Sequence, residues 1–227
     1  MEESIVLFSI KFFGYEFPIY LSLFIQWLII IVALILSIIY SRRVKRIPGK
    51  VQAAVELGIE FLNNVVEDNM GEGKKKFVPY IGALGIYLFL FNMVGLFGVK
   101  PPSADFSVAL GIALTTFIIV QGYTIKTLGL GGYFKGYASP IPVLLPINIL
   151  ERVMLPISLS LRLFGNMFAG AMIMELIYEM LNGLSSILTI GLPIPFHLYF
   201  DVFDGTIQMI IFVMLTMINI KITAEHA

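Results

Sequence analysis

Residues 17–41 read FPIYLSLFIQWLIIIVALILSIIYS, 25 positions without a charge between Glu16 and Arg42. At a rise of about 1.5 Å per residue, some 20 apolar residues cover the hydrocarbon core of a bilayer. The run exceeds the apolar core of a secretory signal, and neither a basic leader nor a small-residue cleavage site precedes it. It reads as a retained first membrane helix. Composition extends that reading to the whole chain, because 58% of the 227 residues are apolar and only 13% are charged. A soluble domain carries about 25% charged residues, so most of this surface faces lipid.

Further charge-poor runs lie between Lys76 and Lys100 and between Asp105 and Lys126. Beyond Gly136 the apolar sequence is broken by Glu151, Arg152, Arg162, Glu175, Glu179, Asp201 and Asp204. Helices there carry charge at membrane depth, which costs about 2.5–3.5 kcal/mol per charge at a helix centre. The predicted architecture is all-α and polytopic, a single membrane domain over 1–227. Its membrane helices are placed at about 17–41, 77–99, 105–126, 141–178 and 186–221, the last two forming a long tilted hairpin. Arg42, Arg43, Lys45, Arg46, Lys50 and Lys74–Lys76 put the 41–76 connection in the cytoplasm, the N-terminus outside and the C-terminus inside. Within that connection, Val51, Val55, Ile59, Leu62 and Val66 recur at helical spacing. They predict an amphipathic interfacial helix over 50–69.

Composition also excludes chemistry. Fifteen basic and fifteen acidic residues leave no net charge, which removes support for a nucleic-acid partner. With no cysteine and two histidines, the usual zinc, iron–sulfur and thiolate sites are absent, and no metal or cofactor is expected. No nucleotide-binding glycine loop or Ser/His/Asp set is present either.

Arg162 is the residue that demands an account. Uncharged residues 153–161 precede it and 163–174 follow it, so it sits mid-helix in the bilayer. A guanidinium stays protonated and has to find a carboxylate or a wet cavity. Either it is paired within the chain or it is a functional charge on an ion path. Glu151, Leu155, Ser158, Arg162, Asn166 and Ala169 share one stripe, and the small residues Gly165, Ala169, Gly170 and Ala171 permit close helix approach. On the last helix His197, Asp201, Asp204, Gln208, Leu215 and Asn219 share another. Counting from the outer turn sets Arg162 and Gln208 about 9 Å apart in depth, a gap that helix tilt absorbs.

Two polar sets therefore converge on Arg162. From outside come Asp105, His197, Asp201, Asp204 and the candidates Glu175 and Glu179; from the cytoplasm come Glu151, Ser158 and Asn219. Two dead-end paths separated by a fixed cation would block leakage yet pass a mobile carboxylate, which a partner has to supply. Several of these residues also have ordinary readings. Glu175, about 220° around the helix from Arg162, suits an inter-helix pair. Asp201 and Asp204 suit capping or helix contacts, His197 an interfacial position, Gln208 an interhelical hydrogen bond, and Glu151 a surface ion pair.

The stretch Leu159-Ser160-Leu161-Arg162-Leu163-Phe164-Gly165-Asn166-Met167, with Ala169-Gly170, closely resembles the signature of subunit a of bacterial F-type ATP synthases. Pro48-Gly49-Lys50, Asn92, Pro102-Ser103-Ala104-Asp105, Gly131-Gly132-Tyr133, Pro146-Ile147-Asn148, Glu151 and Gln208 extend the likeness over most of the chain. The resemblance implies an ion-translocating stator subunit in the bacterial plasma membrane. It implies a ring of c subunits and peripheral-stalk b subunits as partners, and Arg162, with Asn166 and Gln208, at the barrier facing the ring carboxylates. The coupling ion, proton or sodium, stays open. The competing reading is a self-contained secondary transporter or channel, although such carriers often show internal repeats and none is visible here. The chain departs from the family at two places. Ala171 stands where many members carry glutamate, and Asp201 where some carry histidine, so the outer acid is expected at Asp201, Asp204 or Glu175.

Overall fold

The computed structural model describes residues 6–12, 15–71, 73–99, 101–137, 143, 145–184 and 188–225. Among the described residues, five helical segments are long and apolar enough to cross a membrane: Leu21–Ser41, Lys75–Phe97, Phe106–Tyr133, Leu145–Gly183 and Pro193–Thr223. The chain is an all-α polytopic membrane protein with one small addition. Strands β1 (Val6–Phe12) and β2 (Tyr15–Tyr20) form an antiparallel hairpin with Lys11 opposite Glu16 and Ser9 opposite Pro18. The first helix, α1 (Leu21–Ser41), consequently starts four residues later than hydropathy predicts. Residues 17–20 are apolar enough for a helix, but their backbone groups pair with β1, a competition that hydropathy does not register. Pro18, which has no N–H to donate, is tolerated because a two-stranded hairpin has only edges.

No residue of α1 is buried, and Trp27 and Leu36 are about three-fifths exposed. The helix touches protein along one side only, at Val78–Asn92 and Pro102–Ala104, and an apolar helix so placed turns the rest of its surface to lipid. The exposed basic turn 42–49 leads into α2 (Lys50–Met70), which ends at Gly71 in a left-handed conformation, φ 88°. Gln52 holds the turn by a reciprocal pair of bonds, accepting from the Lys45 N–H at 3.0 Å and donating to the Lys45 carbonyl at 2.8 Å. The apolar stripe of α2 divides in two. Val51, Val55 and Ile59 stay exposed, whereas Val66 and Met70 enter a core with Phe77, Ile81, Met217 and Ile220.

Helix α3 (Val78–Asn92) runs between two tighter 3₁₀ turns, Lys75–Phe77 and Met93–Phe97, and Gly98 closes it at φ 71°. A buried turn, Pro102–Ala104, leads to α4 (Phe106–Tyr137). Where the sequence reading ends the third helix near 126, helical structure continues beyond a break at Gly129, whose φ of 69° and ψ of 168° suit only glycine. Helix α5 (Leu145–Leu184) has 40 residues and is about 60 Å long at 1.5 Å per residue, twice a bilayer core, so it crosses obliquely or bent. It carries Pro156 in its interior. The predicted starts of the fourth and fifth membrane helices, 141 and 186, lie outside the described residues.

After α6 (Leu188–Gly191), the return crossing is α7 (Pro193–His197), a π-helical segment Leu198–Asp204, and α8 (Gly205–Glu225). Helices α3 and α4 pack on α8, and α4 packs along α5. Leu88, Ala109, Ala113, Leu159, Leu163 and Phe212 form the second core, directly under the charged stretch of α5.

Candidate functional site

Arg162 is half-buried on α5 beside the buried Leu163. Among the described residues no carboxylate pairs with it and no hydrogen bond holds it. One turn along, Asn166 Nδ2 donates to Gln208 Oε1 on α8 at 2.9 Å. The contact brings Gln208 within one helical turn of Arg162, about 6 Å of rise. Gln208 is 1% exposed, and its Nε2 has no protein partner among the described residues. A buried amide with unspent donors beside a lone guanidinium is a polar spot that the core does not satisfy.

Close approach of the last crossing to α3 depends on Gly205. Its carbonyl accepts from Asn92 Nδ2 at 2.9 Å, and a Cβ there would lie 3.0 Å from Asn92 Cβ. Ser103 Oγ donates in turn to Asn92 Oδ1 at 3.4 Å, so the buried amide is bonded at both ends.

A cavity of about 410 Å³ opens between the end of α3, the distal half of α5 and α7. Its polar wall consists of Glu175, Tyr178, Glu179, Asn182, His197 and Asp201. Ala171 also lines it, so the position at which the chain departs from the family motif faces the same space as Asp201. His197 Nδ1 lies 2.6 Å from Asp201 Oδ2, and Tyr178 OH lies 2.9 Å from His197 Nε2. Asp201 is buried against Gly95, where any side chain would collide with the carboxylate.

The structure thus distributes the predicted residues unevenly. His197, Asp201 and Glu175 meet in the cavity, and Glu175 makes no ion pair among the described residues. Asp204 does not line it, because the π segment spaces successive turns wider than the 3.6-residue period and moves Asp204 off the His197–Asp201 face. Asp105 does not line it either: its Oδ1 accepts the Ser107 N–H at 2.9 Å and caps α4. Glu151 and Ser158 are exposed on α5, and Glu151 is in no ion pair among the described residues. Asn219 donates back to the Leu215 carbonyl at 2.8 Å, within its own helix. Of the small residues, Gly170 packs within the protein against Phe200, its would-be Cβ 3.5 Å from the ring, while Ala169 remains exposed.

Sequence reasoning missed Tyr178, Gly95 and Gln121. Tyr178 shares the α5 face of Ala171, Glu175 and Glu179, a spacing that could have flagged it. Gln121 Oε1 accepts from Tyr133 OH at 3.0 Å and from Arg152 Nη1 at 3.2 Å, a contact across α4 and α5 that no local pattern announces.

Fold and site together define a polytopic membrane protein whose long helix α5 carries an arginine unpaired among the described residues and, further along, one wall of a carboxylate-lined cavity. Residues 23–221 match the family model described as ATP synthase A chain. The chain is 33% identical over 223 residues to "ATP synthase subunit a, sodium ion specific" of Propionigenium modestum, covering 91% of this chain and 75% of that protein. It is 35% identical over 200 residues to "ATP synthase subunit a" of Moorella thermoacetica, covering 88% of each. The chain belongs to the ATP synthase subunit a family, the membrane-embedded ion-translocating subunit of F-type ATP synthases.

Proposed function

We propose that this subunit offers two aqueous half-paths that end on either side of Arg162 and exchange protons or sodium ions with carboxylates on a rotating ring of c subunits. The observation that carries the reading is the absence, among the described residues, of any carboxylate partner for Arg162. A permanent charge at membrane depth is stabilised only by an opposite charge or water, and here the carboxylate has to come from another chain. Leu161, Ala169, Met172 and Leu176 on α5 are exposed and apolar, which supports a partner surface running past the arginine. Asp201, one helix away from Ala171 and lining the same cavity, is the outer acid, with Glu175 and Glu179 nearer the mouth. Glu151, Ser158 and Asn219 belong to the inner path. Peripheral-stalk b subunits complete the stator, the membrane is the bacterial plasma membrane, and the basic 42–76 connection puts the N-terminus outside and the C-terminus in the cytoplasm.

The test is Arg162→Ala in the complete complex. ATP synthesis driven by an ion gradient should vanish while ATP hydrolysis by the detached catalytic head persists, and Arg162→Lys should fail nearly as badly because a compact ammonium lacks the planar fork. Near-normal synthesis in Arg162→Ala membranes would overturn the reading. Selective ion flux through the purified chain alone in vesicles would favour a self-contained transporter instead.

A further inference from the structure

Two lysines share one aromatic ring where the turn before α3 meets α4. Lys74 Nζ donates to Tyr123 OH at 2.8 Å and stands 5.1 Å from that ring's centroid. Lys76 Nζ stands 4.4 Å from the same centroid and 5.6 Å from that of Phe77. The two rings meet edge to face at 4.7 Å, and both pack on the core of Val66, Met70 and Ile220. An aromatic face attracts each ammonium but cancels neither charge, and the two ammoniums repel each other. Lys126 follows one turn beyond Tyr123 and is exposed. Among the described residues no carboxylate pairs with Lys74, Lys76 or Lys126; Glu67 is taken by Lys75 at 3.3 Å, and Asp68 is exposed and in no ion pair. Lys126 lies about 30 Å along α4 from its start at Phe106, the thickness of a hydrocarbon core, so the cluster sits at a membrane boundary. An apolar stripe runs back from it at steps of four, through Gly122, Ile118 and Leu114. Ile118 is 67% exposed and Leu114 42%, and a Cβ at Gly122 would meet nothing within 4 Å.

We propose that Lys74, Lys76 and Lys126 bind the phosphate of an anionic phospholipid at this boundary, with one acyl chain along Gly122, Ile118 and Leu114. Tyr123 is the platform: it holds two ammoniums side by side on a ring anchored in the core, so their rotamers are set before the phosphate arrives. A phosphate between them relieves a repulsion that no carboxylate of the described residues relieves. Two features select a lipid over a dissolved phosphate. The cluster lies at the level of the headgroups, where basic pockets between membrane helices take anionic lipid. The exposed stripe below it offers an acyl chain apolar surface from which a dissolved anion gains nothing. Charge selects among lipids, because a zwitterionic headgroup brings a cation of its own toward three lysines.

The site is tested in the complete ATP synthase reconstituted into phosphatidylcholine liposomes with a minor fraction of phosphatidylglycerol. Ile118→Cys, in a complex whose other subunits present no reactive thiol, carries a bimane fluorophore beside the acyl-chain stripe. Quenching by lipid brominated on its acyl chains reports which lipid lies there. Brominated phosphatidylglycerol should quench several-fold more than brominated phosphatidylcholine at the same mole fraction, and the ratio of the two is the preference. Lys74→Gln/Lys76→Gln should lower it by about fivefold for each lysine removed. Lys126→Gln, a change at an exposed side chain that leaves folding alone, should lower it once, and Lys74→Arg/Lys76→Arg should keep it. Arg42→Gln/Arg43→Gln, which removes charge from the other basic turn, should leave it unchanged, as should inorganic phosphate added at fixed ionic strength. Equal quenching by the two lipids in the parent would overturn the site. So would a preference undiminished in both glutamine variants of the lysines, one lost equally in Arg42→Gln/Arg43→Gln, which would mean a diffuse field, or one abolished by inorganic phosphate, which would mean an anion site that does not select lipid.

Discussion

Asn166 Nδ2 donates to Gln208 Oε1 at 2.9 Å, tying the long helix α5 to the last crossing one turn from Arg162. This bond fixes the level at which the two helices meet. It also spends the carbonyl end of Gln208 and leaves the buried amide donors directed elsewhere.

If that bond sets the level, its two ends should behave as a coupled pair. Asn166→Ala strands the buried Gln208 oxygen and is expected to cost about 1–3 kcal/mol. Gln208→Leu removes the buried group itself and should cost less when added to Asn166→Ala than when made alone. Thermal unfolding of the complex for both single variants and the double variant measures the coupling; additive losses would show that the contact does not hold the helices.

Gly95 has no room for a side chain because the Asp201 carboxylate occupies the space. Gly95→Ala should therefore displace Asp201 and reduce ion-coupled synthesis strongly, with ATP hydrolysis retained in complexes that assemble. Gly205→Ala presses instead on Asn92 Cβ at 3.0 Å, so its main effect is expected on stability, seen as a lower unfolding temperature. Equal coupled rates for Gly95→Ala and the parent would contradict the placement of Asp201.

The chain has no native cysteine, so an introduced thiol reports only on its own position. Glu175→Cys and Glu179→Cys line the cavity and should react quickly with a hydrophilic thiol reagent added from outside. Asp204→Cys and Ile173→Cys lie off the cavity wall and should react slowly, although Ile173 is 42% exposed, because its surroundings are lipid. Labelling yields after short exposures decide; equal rates at all four positions would mean that the cavity is not the water-filled route.

Glu151 is exposed and unpaired among the described residues, which leaves its charge available to concentrate cations at the inner mouth. Glu151→Gln should lower ATP-driven ion pumping in inverted vesicles several-fold at low salt and less at physiological salt, where charges are screened beyond about 8 Å. An unchanged low-salt rate would remove Glu151 from the path.

Much of this molecule is decided by local sums. Five crossings follow from the lengths of apolar runs, because the free energy of placing about 20 residues in lipid depends on composition and hardly on neighbours. The significance of Arg162 follows similarly, from uncharged residues on both sides that leave a guanidinium no exit. Helical spacing also brings Glu175 and Glu179 onto one face of α5.

Tertiary structure decided the rest. The sequence alone determined the crossings and the mid-helix cation, but the pairing of residues 17–20 with β1 depends on partners that hydropathy does not count. A uniform 3.6-residue period predicts one stripe from His197 to Gln208, whereas the π segment splits it, leaving His197 and Asp201 at the cavity, Asp204 away from it and Gln208 against Asn166. Asp105, which the sequence reading puts on the outer path, accepts the Ser107 N–H of its own chain two residues on, a local bond that the path reading does not register. Tyr178 meets His197 only after two helices fold back on each other, and hydrogen bonds of that kind are set by packing, which no periodicity encodes.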